Sequence, residues 1–261
     1  MTIGRGSRNV PALALAVAGT CAAVVLMLGL AMRTLSARPM ATAEPDVRII
    51  DREGWWDVVY PAAAGVVLAR TANELHLPAG QPLVVEVVSC GVESAQWLPR
   101  LRGTVTPLPG ATMRYELTSS GPGLYRVATS ASDGGRPGHA TLAVVVEDSG
   151  AFRRWLLSQR DGAAWPSSTI TGRGADVFDE QRCAECHAVR GHASHGRGGP
   201  DLTHVASRFT LGGGAAPNDA DALAGWAVQP HAAGTSSLPS GVLAPSPADA
   251  LALVAYLQSL K

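Results

Sequence analysis

Apolar and polar positions change rhythm three times along the chain. From Val10 to Met32 there is no charged residue over 23 positions, with Arg5 and Arg8 before the run and Arg33 and Arg38 after it. At a helical rise of about 1.5 Å per residue such a run spans about 35 Å, enough to cross a hydrocarbon core of about 30 Å. The pattern predicts a short N-terminus at 1–9, a transmembrane helix over 10–32 and a Pro/Ala linker over 33–46; arginines flank both ends equally, so charge does not orient the helix, and residues 1–9 are placed in the cytoplasm only by the haem chemistry below. A cleaved signal peptide is the competing reading, since Ala41-Thr42-Ala43 has the small-x-small form and the n-region is basic. The length of the apolar run favours a retained anchor.

From about Val47 to Asp148 the rhythm becomes that of short strands. VRIID, WWDVVY, GVVLAR, LVVEVVS, MRYELT, LYRVAT and TLAVVVE are separated by Pro61, Pro78-Ala79-Gly80, Pro107-Leu108-Pro109-Gly110 and Gly121-Pro122-Gly123. Many short β-rich runs at regular spacing predict a sandwich or barrel. A helix over Ala151–Gln159, with Phe152, Trp155 and Leu156 on one face, closes this domain at about residue 160. Residues 161–172 then read as a Gly/Ser/Pro linker.

The third stretch, 173–261, has almost no β-branched runs and reads as helices joined by Gly-rich loops. Its last helix is well signalled. Ser246 can cap it, Pro247 suits the first turn, and Asp249 stands three residues after the cap. Leu253, Tyr256, Leu257 and Leu260 follow at helical spacing and form an apolar stripe.

Composition adds little beyond this. The hydrophobic fraction is 46% and the formal net charge zero, so nothing points to nucleic acid as a partner. Of the four cysteines, Cys21 lies in the apolar run and Cys90 stands alone in a strand-like segment. Only Cys183 and Cys186 are close together, a spacing that argues against a disulfide framework.

That close pair carries the chemistry. Cys183-Ala184-Glu185-Cys186-His187 has the Cys-x-x-Cys-His form of covalent c-type haem attachment. Two thiols three residues apart on one helical turn can reach the two vinyl groups along one porphyrin edge, and the next residue then places an imidazole under the iron. A thioredoxin-like redox pair and half of a zinc site are the alternatives. The first lacks its βαβ setting and the second lacks two further ligands at suitable spacing.

Residues 173–261 resemble class I cytochrome c, an all-α domain. Gly174, Val177 and Phe178 match the family's first helix, in which a glycine allows close crossing by an aromatic residue of the last helix, here Tyr256. Gly198-Gly199-Pro200-Asp201-Leu202 resembles the family's Gly-Pro loop. The resemblance implies that the Pro200 carbonyl accepts the ring N–H of His187, the proximal iron ligand; a simple turn is the alternative role for Pro200. Where the family places a methionine before a proline, Gly234-Thr235-Ser236-Ser237-Leu238-Pro239 has Leu238, and no methionine follows His187. The iron then has either a histidine partner or an open sixth position. Of His192, His195, His204 and His231, the last is nearest the expected distal loop and is the candidate distal ligand.

Glu53–Pro61, Thr71–Pro78, Gln96-Trp97-Leu98-Pro99, Pro109-Gly110-Ala111-Thr112 and Pro122-Gly123-Leu124-Tyr125-Arg126 resemble the cupredoxin domain of cytochrome c oxidase subunit II, a Greek-key β-sandwich. With the following cytochrome, residues 47–261 resemble subunit II of caa3-type oxidases, which usually has two membrane helices where one is legible here. In that family two cysteines, two histidines and a methionine hold a dinuclear copper centre. Ser94 stands at the expected first histidine, Ala128–Gly134 carries no cysteine, Leu142 occupies the methionine place, and only His139 matches a ligand. Soft thiolates are required to hold paired copper ions, so no copper centre is expected. The β-domain is read as a docking scaffold, with Trp55 and Trp56 either in its core or facing a partner.

The resemblance implies a single-pass protein of the bacterial cytoplasmic membrane, N-terminus inside and both domains periplasmic. It would carry one covalent haem c and pass electrons from a donor complex or soluble cytochrome to a catalytic haem-copper-type subunit I. By itself it would catalyse nothing. The cytochrome subunit of a nitric oxide reductase-like complex, and a haem-based gas sensor or docking protein with an open sixth site, remain as alternatives.

Overall fold

In this computed structural model the described residues are 44–52, 55–62, 65–88, 94–96, 112–119, 121–127, 129–131, 142–192, 194–211, 216–228 and 245–261, all within one unit, Thr42–Lys261. Among them no helix is long and apolar enough to cross a membrane, and the 10–32 run lies outside them.

The seven strand-like runs become β1 (Val47–Arg52), β2 (Trp55–Pro61), β3 (Val67–Ala72), β5 (Pro82–Val88), β7 (Thr112–Thr118), β8 (Gly123–Val127) and β10 (Leu142–Glu147), and three strands not read from the sequence join them, β4 (Glu74–Pro78), β6 (Ser94–Gln96) and β9 (Thr129–Ala131). One sheet has the order β3-β2-β1-β5-β7 and a second the order β4-β10-β8, while β6 pairs with β9. All pairings within the two larger sheets are antiparallel except β1 with β5 and β10 with β4.

The core lies between the two larger sheets because alternate residues of each strand point to one face. Val47, Ile49, Trp56, Val58, Tyr60, Val85, Val87 and Leu117 from the first meet Leu75, Leu77, Leu142, Val144 and Val146 from the second. Each large aliphatic or aromatic side chain removed from water there contributes about 1.5–3 kcal/mol. Trp56 is only 2% exposed, so it belongs to the core, while Trp55 is half-buried.

The crossing between sheets is made at Asn73. It holds a left-handed φ of 61°, which Asn tolerates better than most residues. It is bonded on three sides: its backbone N–H donates to the Trp56 carbonyl, its Oδ1 accepts from the Trp56 N–H, and its carbonyl accepts from Ala143 N–H, each at 2.8 Å.

Asp57 is a carboxylate fully buried among these strands. Arg70 holds it through both oxygens, Nε to Oδ1 at 2.8 Å and Nη2 to Oδ2 at 2.5 Å, and Arg52 stands 3.4 Å away. Removing one partner of such a pair leaves a buried charge uncompensated. Arg70→Met is expected to cost about 3 kcal/mol in denaturant unfolding. A loss below about 1 kcal/mol would mean that Arg52 takes over the carboxylate.

After β10, Asp148 caps helix α1 (Ser149–Ser158) by accepting from Gly150 N and Ala151 N at 2.9 Å. Helix α2 (Thr169–Glu180) begins inside the stretch read above as linker. Ser168 and Thr171 cap each other's backbone N–H groups there, a reciprocal arrangement that offsets the helix-weakening Gly172. Next come the single turn α3 (Cys183–Cys186), the pairs β11 (Ala188–Val189) with β12 (Ser194–His195) and β13 (Thr210–Leu211) with β14 (Ala216–Pro217), then α4 (Ala220–Val228) and α5 (Pro247–Ser259). Ser246 caps α5 as expected, accepting from Asp249 N at 3.2 Å.

The two long helices cross at Gly174. A Cβ there would fall on the Ala252 carbonyl oxygen and 2.6 Å from Tyr256 Cβ, so only glycine fits. Phe178 meets Tyr256 edge-on, ring centroids 5.8 Å apart. Around this crossing Val177, Val189, Val205, Leu223, Leu253, Leu257 and Leu260 form a second core.

Candidate functional site

Helix α2 ends at Glu180, and Arg182 turns the chain with a left-handed φ of 59°. That conformation is costly for a residue with a side chain and is held only where the surroundings enforce it. Arg182 is fixed by a two-pronged bond to Glu185, Nε to Oε1 at 2.6 Å and Nη2 to Oε2 at 2.9 Å. The turn sets Cys183 and Cys186 on α3, neither of them in a disulfide. Burial pushes the Cys183 thiol up to about 11, so it is a neutral thiol near pH 7.

The Gly-rich loop folds back onto this turn through three hydrogen bonds. Gly199 N donates to Cys186 O and Leu202 N to Ala188 O, both at 2.8 Å. Between them His187 Nδ1 lies 2.7 Å from the Pro200 carbonyl oxygen. A carbonyl only accepts, so Nδ1 carries the hydrogen and the lone pair of the neutral ring is on Nε2, the tautomer of a metal-ligating imidazole.

Glycines make this closeness feasible. A Cβ at Gly199 would stand 2.6 Å from His187 Cε1, and one at Gly196 would overlap the Cys186–His187 peptide, whereas one at Gly198 would make only ordinary contact, 3.6 Å from Cys186 Sγ. The loop therefore presents bare backbone to the thiol and imidazole. Two thiols, an imidazole of fixed tautomer and no intervening side chain form a donor set that fits a covalently held haem. Gly196 and Arg182 were not singled out from the sequence. The only hint of Gly196 is the glycine repeat of Gly196-Arg197-Gly198-Gly199, and Arg182 left no signal.

The histidines considered as distal ligands are placed differently. His192 donates from Nε2 to the Ala164 carbonyl at 3.2 Å and accepts at Nδ1 from the Tyr256 hydroxyl at 2.6 Å. His204 is buried, with Nε2 bonded to the Asp161 carbonyl at 3.1 Å. His195 is exposed and pairs through its backbone with Ala188. His231 and Leu238 lie outside the described residues.

Of the positions where the resemblance expects copper ligands, Leu142 is in the sandwich core, 1% exposed, and Ser94 pairs with Ala131 through the backbone. His139, Cys90 and Cys21 lie outside the described residues. Among the described residues no three His, Cys, Asp or Glu side chains gather as a metal site.

Residues 172–261 match the cytochrome c family. Over 95% of its length the chain is 26% identical to cytochrome c oxidase subunit 2 of Alkalihalophilus pseudofirmus, of which the match covers 73%. It is 25% identical over 79% of its length to cytochrome c oxidase subunit 2 of Bacillus subtilis, spanning 60% of that protein and thus less than two thirds. Among solved structures, the periplasmic domain of subunit II of a Bradyrhizobium japonicum cytochrome oxidase aligns with 45% of this chain and 96% of its own, at 17% identity and a TM-score of 0.38.

Proposed function

We infer that this homologue of cytochrome c oxidase subunit II, arranged as in the caa3 type with a cytochrome c domain at residues 172–261, is an electron-transfer subunit of a haem-copper oxidase-like respiratory complex. The observation that carries the reading is the Cys183–His187 turn, with the His187 tautomer set by the Pro200 carbonyl at 2.7 Å. The proposal places one haem c on Cys183 and Cys186, with His187 as proximal ligand, and no copper in the β-domain. The run 10–32 anchors the chain in the cytoplasmic membrane, and the described domains stand on its outer side.

When bound, the haem supplies a one-electron iron couple. The chain's own residues determine how it is held. Cys183 and Cys186 would hold the haem through thioether bonds, and the Pro200 carbonyl orients the His187 ring and increases its basicity. Gly198 and Gly199 keep side chains out of the space beside them, and the Arg182–Glu185 pair fixes the entry to the turn. His231 is the proposed distal ligand because it lies nearest the expected distal loop in the sequence, while His192 uses both ring nitrogens and His204 holds the Asp161 carbonyl through Nε2. The β-domain serves as the scaffold that presents the cytochrome domain to a catalytic subunit I, with a respiratory complex or soluble cytochrome as donor.

The test uses the purified full-length chain. Its mass should exceed that of the polypeptide by one haem, its pyridine haemochrome should be of the c type, and a multi-helix haem-copper subunit should co-purify with it. A chain without the added mass removes the redox reading. Haem without the co-purifying subunit leaves a solitary cytochrome.

A further inference from the structure

One group of buried charges lies away from the Cys183–His187 turn, where the β-sandwich meets the cytochrome domain. Alternation along β4 puts Leu75 and Leu77 into the sandwich core and Glu74 and His76 onto the opposite face. Val145 of β10 pairs with His76, so Glu147, two residues on, reaches that same face.

Glu74 is 1% exposed and His76 3%. Glu74 Oε1 accepts two backbone bonds from the cytochrome domain, from Phe209 N at 2.6 Å and Thr210 N at 3.0 Å. Its Oε2 stands 3.6 Å from His76 Nε2, while His76 Nδ1 is 3.0 Å from Glu147 Oε2. The His76 ring lies flat on Trp155 of α1, centroids 3.8 Å apart, and Phe209 approaches at 6.5 Å.

We propose that Glu74, His76 and Glu147 form a latch between the two domains, closed while His76 carries two protons and released when it loses one. The argument is one of donors and acceptors. Nδ1 is within hydrogen-bond distance of Glu147 and Nε2 lies at ion-pair distance from Glu74; carboxylates only accept, so the doubly protonated ring is the form that suits both neighbours. Without its second proton, one ring nitrogen turns a lone pair toward a carboxylate. Glu74 then loses the imidazolium charge 3.6 Å away and keeps only Arg208 as a facing cation, so the carboxylate that holds Phe209 and Thr210 is held less firmly.

The remaining groups around His76 do not supply a replacement proton. From β2 the Tyr60 hydroxyl accepts from His76 N at 2.7 Å and donates to His76 O at 3.0 Å, and burial keeps it protonated. Helix α1 offers Trp155, without charge. From the cytochrome domain Arg208 faces Glu74 and Asp201 and donates to the Asp201 carbonyl. Burial opposes the charge on His76, but the carboxylates of Glu147 and Glu74 outweigh it and raise its pKa above the ordinary value. A raised value in the folded state means that the contribution to docking is complete below about pH 6.5 and is lost as pH rises through the folded value.

The latch goes beyond the electron-transfer reading and stands whether or not haem is attached. It is tested by amide hydrogen exchange on the full-length chain from pH 6 to 10, corrected for intrinsic exchange rates. The peptide carrying Phe209 and Thr210 is expected to lose about tenfold in protection with a midpoint above pH 6.5, while a peptide from the middle of α5 keeps its protection and shows the domain still folded. Glu147→Gln should move the midpoint down by about one pH unit, and His76→Gln should remove the pH dependence. Flat protection across the range in the wild type overturns the latch, as does an unmoved midpoint in Glu147→Gln; that variant decides the matter if His76→Gln does not fold.

Discussion

Serine at both Cys183 and Cys186 is expected to leave the full-length chain with no haem that survives acid-acetone extraction, a complete loss rather than a partial one. The thiols are the only atoms of the site able to bond the porphyrin covalently, and they sit on one turn whose start is fixed by the left-handed Arg182 and its bond to Glu185. The polypeptide should still fold its β-domain, whose core shares no residue with that turn. Absorption spectra before and after extraction give the measurement. Haem retained at wild-type level in the double variant would refute the attachment chemistry.

The second large effect is on the fold beneath the site. Gly174→Val is expected to destabilise the cytochrome domain by about 4 kcal/mol, beyond the usual cost of overpacking, because the added carbons meet backbone as well as side chain. The Ala252 carbonyl and Tyr256 Cβ already occupy the position of a first side-chain carbon. Differential scanning calorimetry should show the transition of the cytochrome domain shifted well down and that of the β-domain little changed. A loss under about 1 kcal/mol would mean that α2 and α5 can slide apart without cost.

The sequence makes different parts of this molecule legible to different degrees. Strands that bury one face, such as β1 with Val47, Ile49 and Asp51 inward, are visible as alternation. Strand β4 is not visible in that way, because all five of its residues are buried, and Glu74 and His76 look like surface positions until the cytochrome domain covers them. Helix α4 has no strong polar and apolar division, its Ala-rich run reading the same on most faces, so it gave no distinct signal. The start of α2 was obscured by Gly172, whose helix-breaking tendency is offset by the Ser168–Thr171 cap. At the candidate site, the approach of His187 to the Pro200 carbonyl is legible because only thirteen residues separate them. The Glu74 contacts reach across 135 residues to Phe209, a distance over which no local pattern carries information.

The Glu74 contacts also bear on how the chain is made. Synthesis runs from the N-terminus, and β10 completes the smaller sheet beside β4 as soon as Glu147 has emerged. At that moment the amide groups of Phe209 and Thr210 do not yet exist, and the Glu74 carboxylate has water where its later partners will stand. The nascent β-domain therefore passes through a hydrated, softer stage at this one edge, and the segment that stiffens it arrives later. A fragment cut after α1 would remain in that unfinished stage, so residues 172–261 act on the β-sandwich as a late-folding clamp.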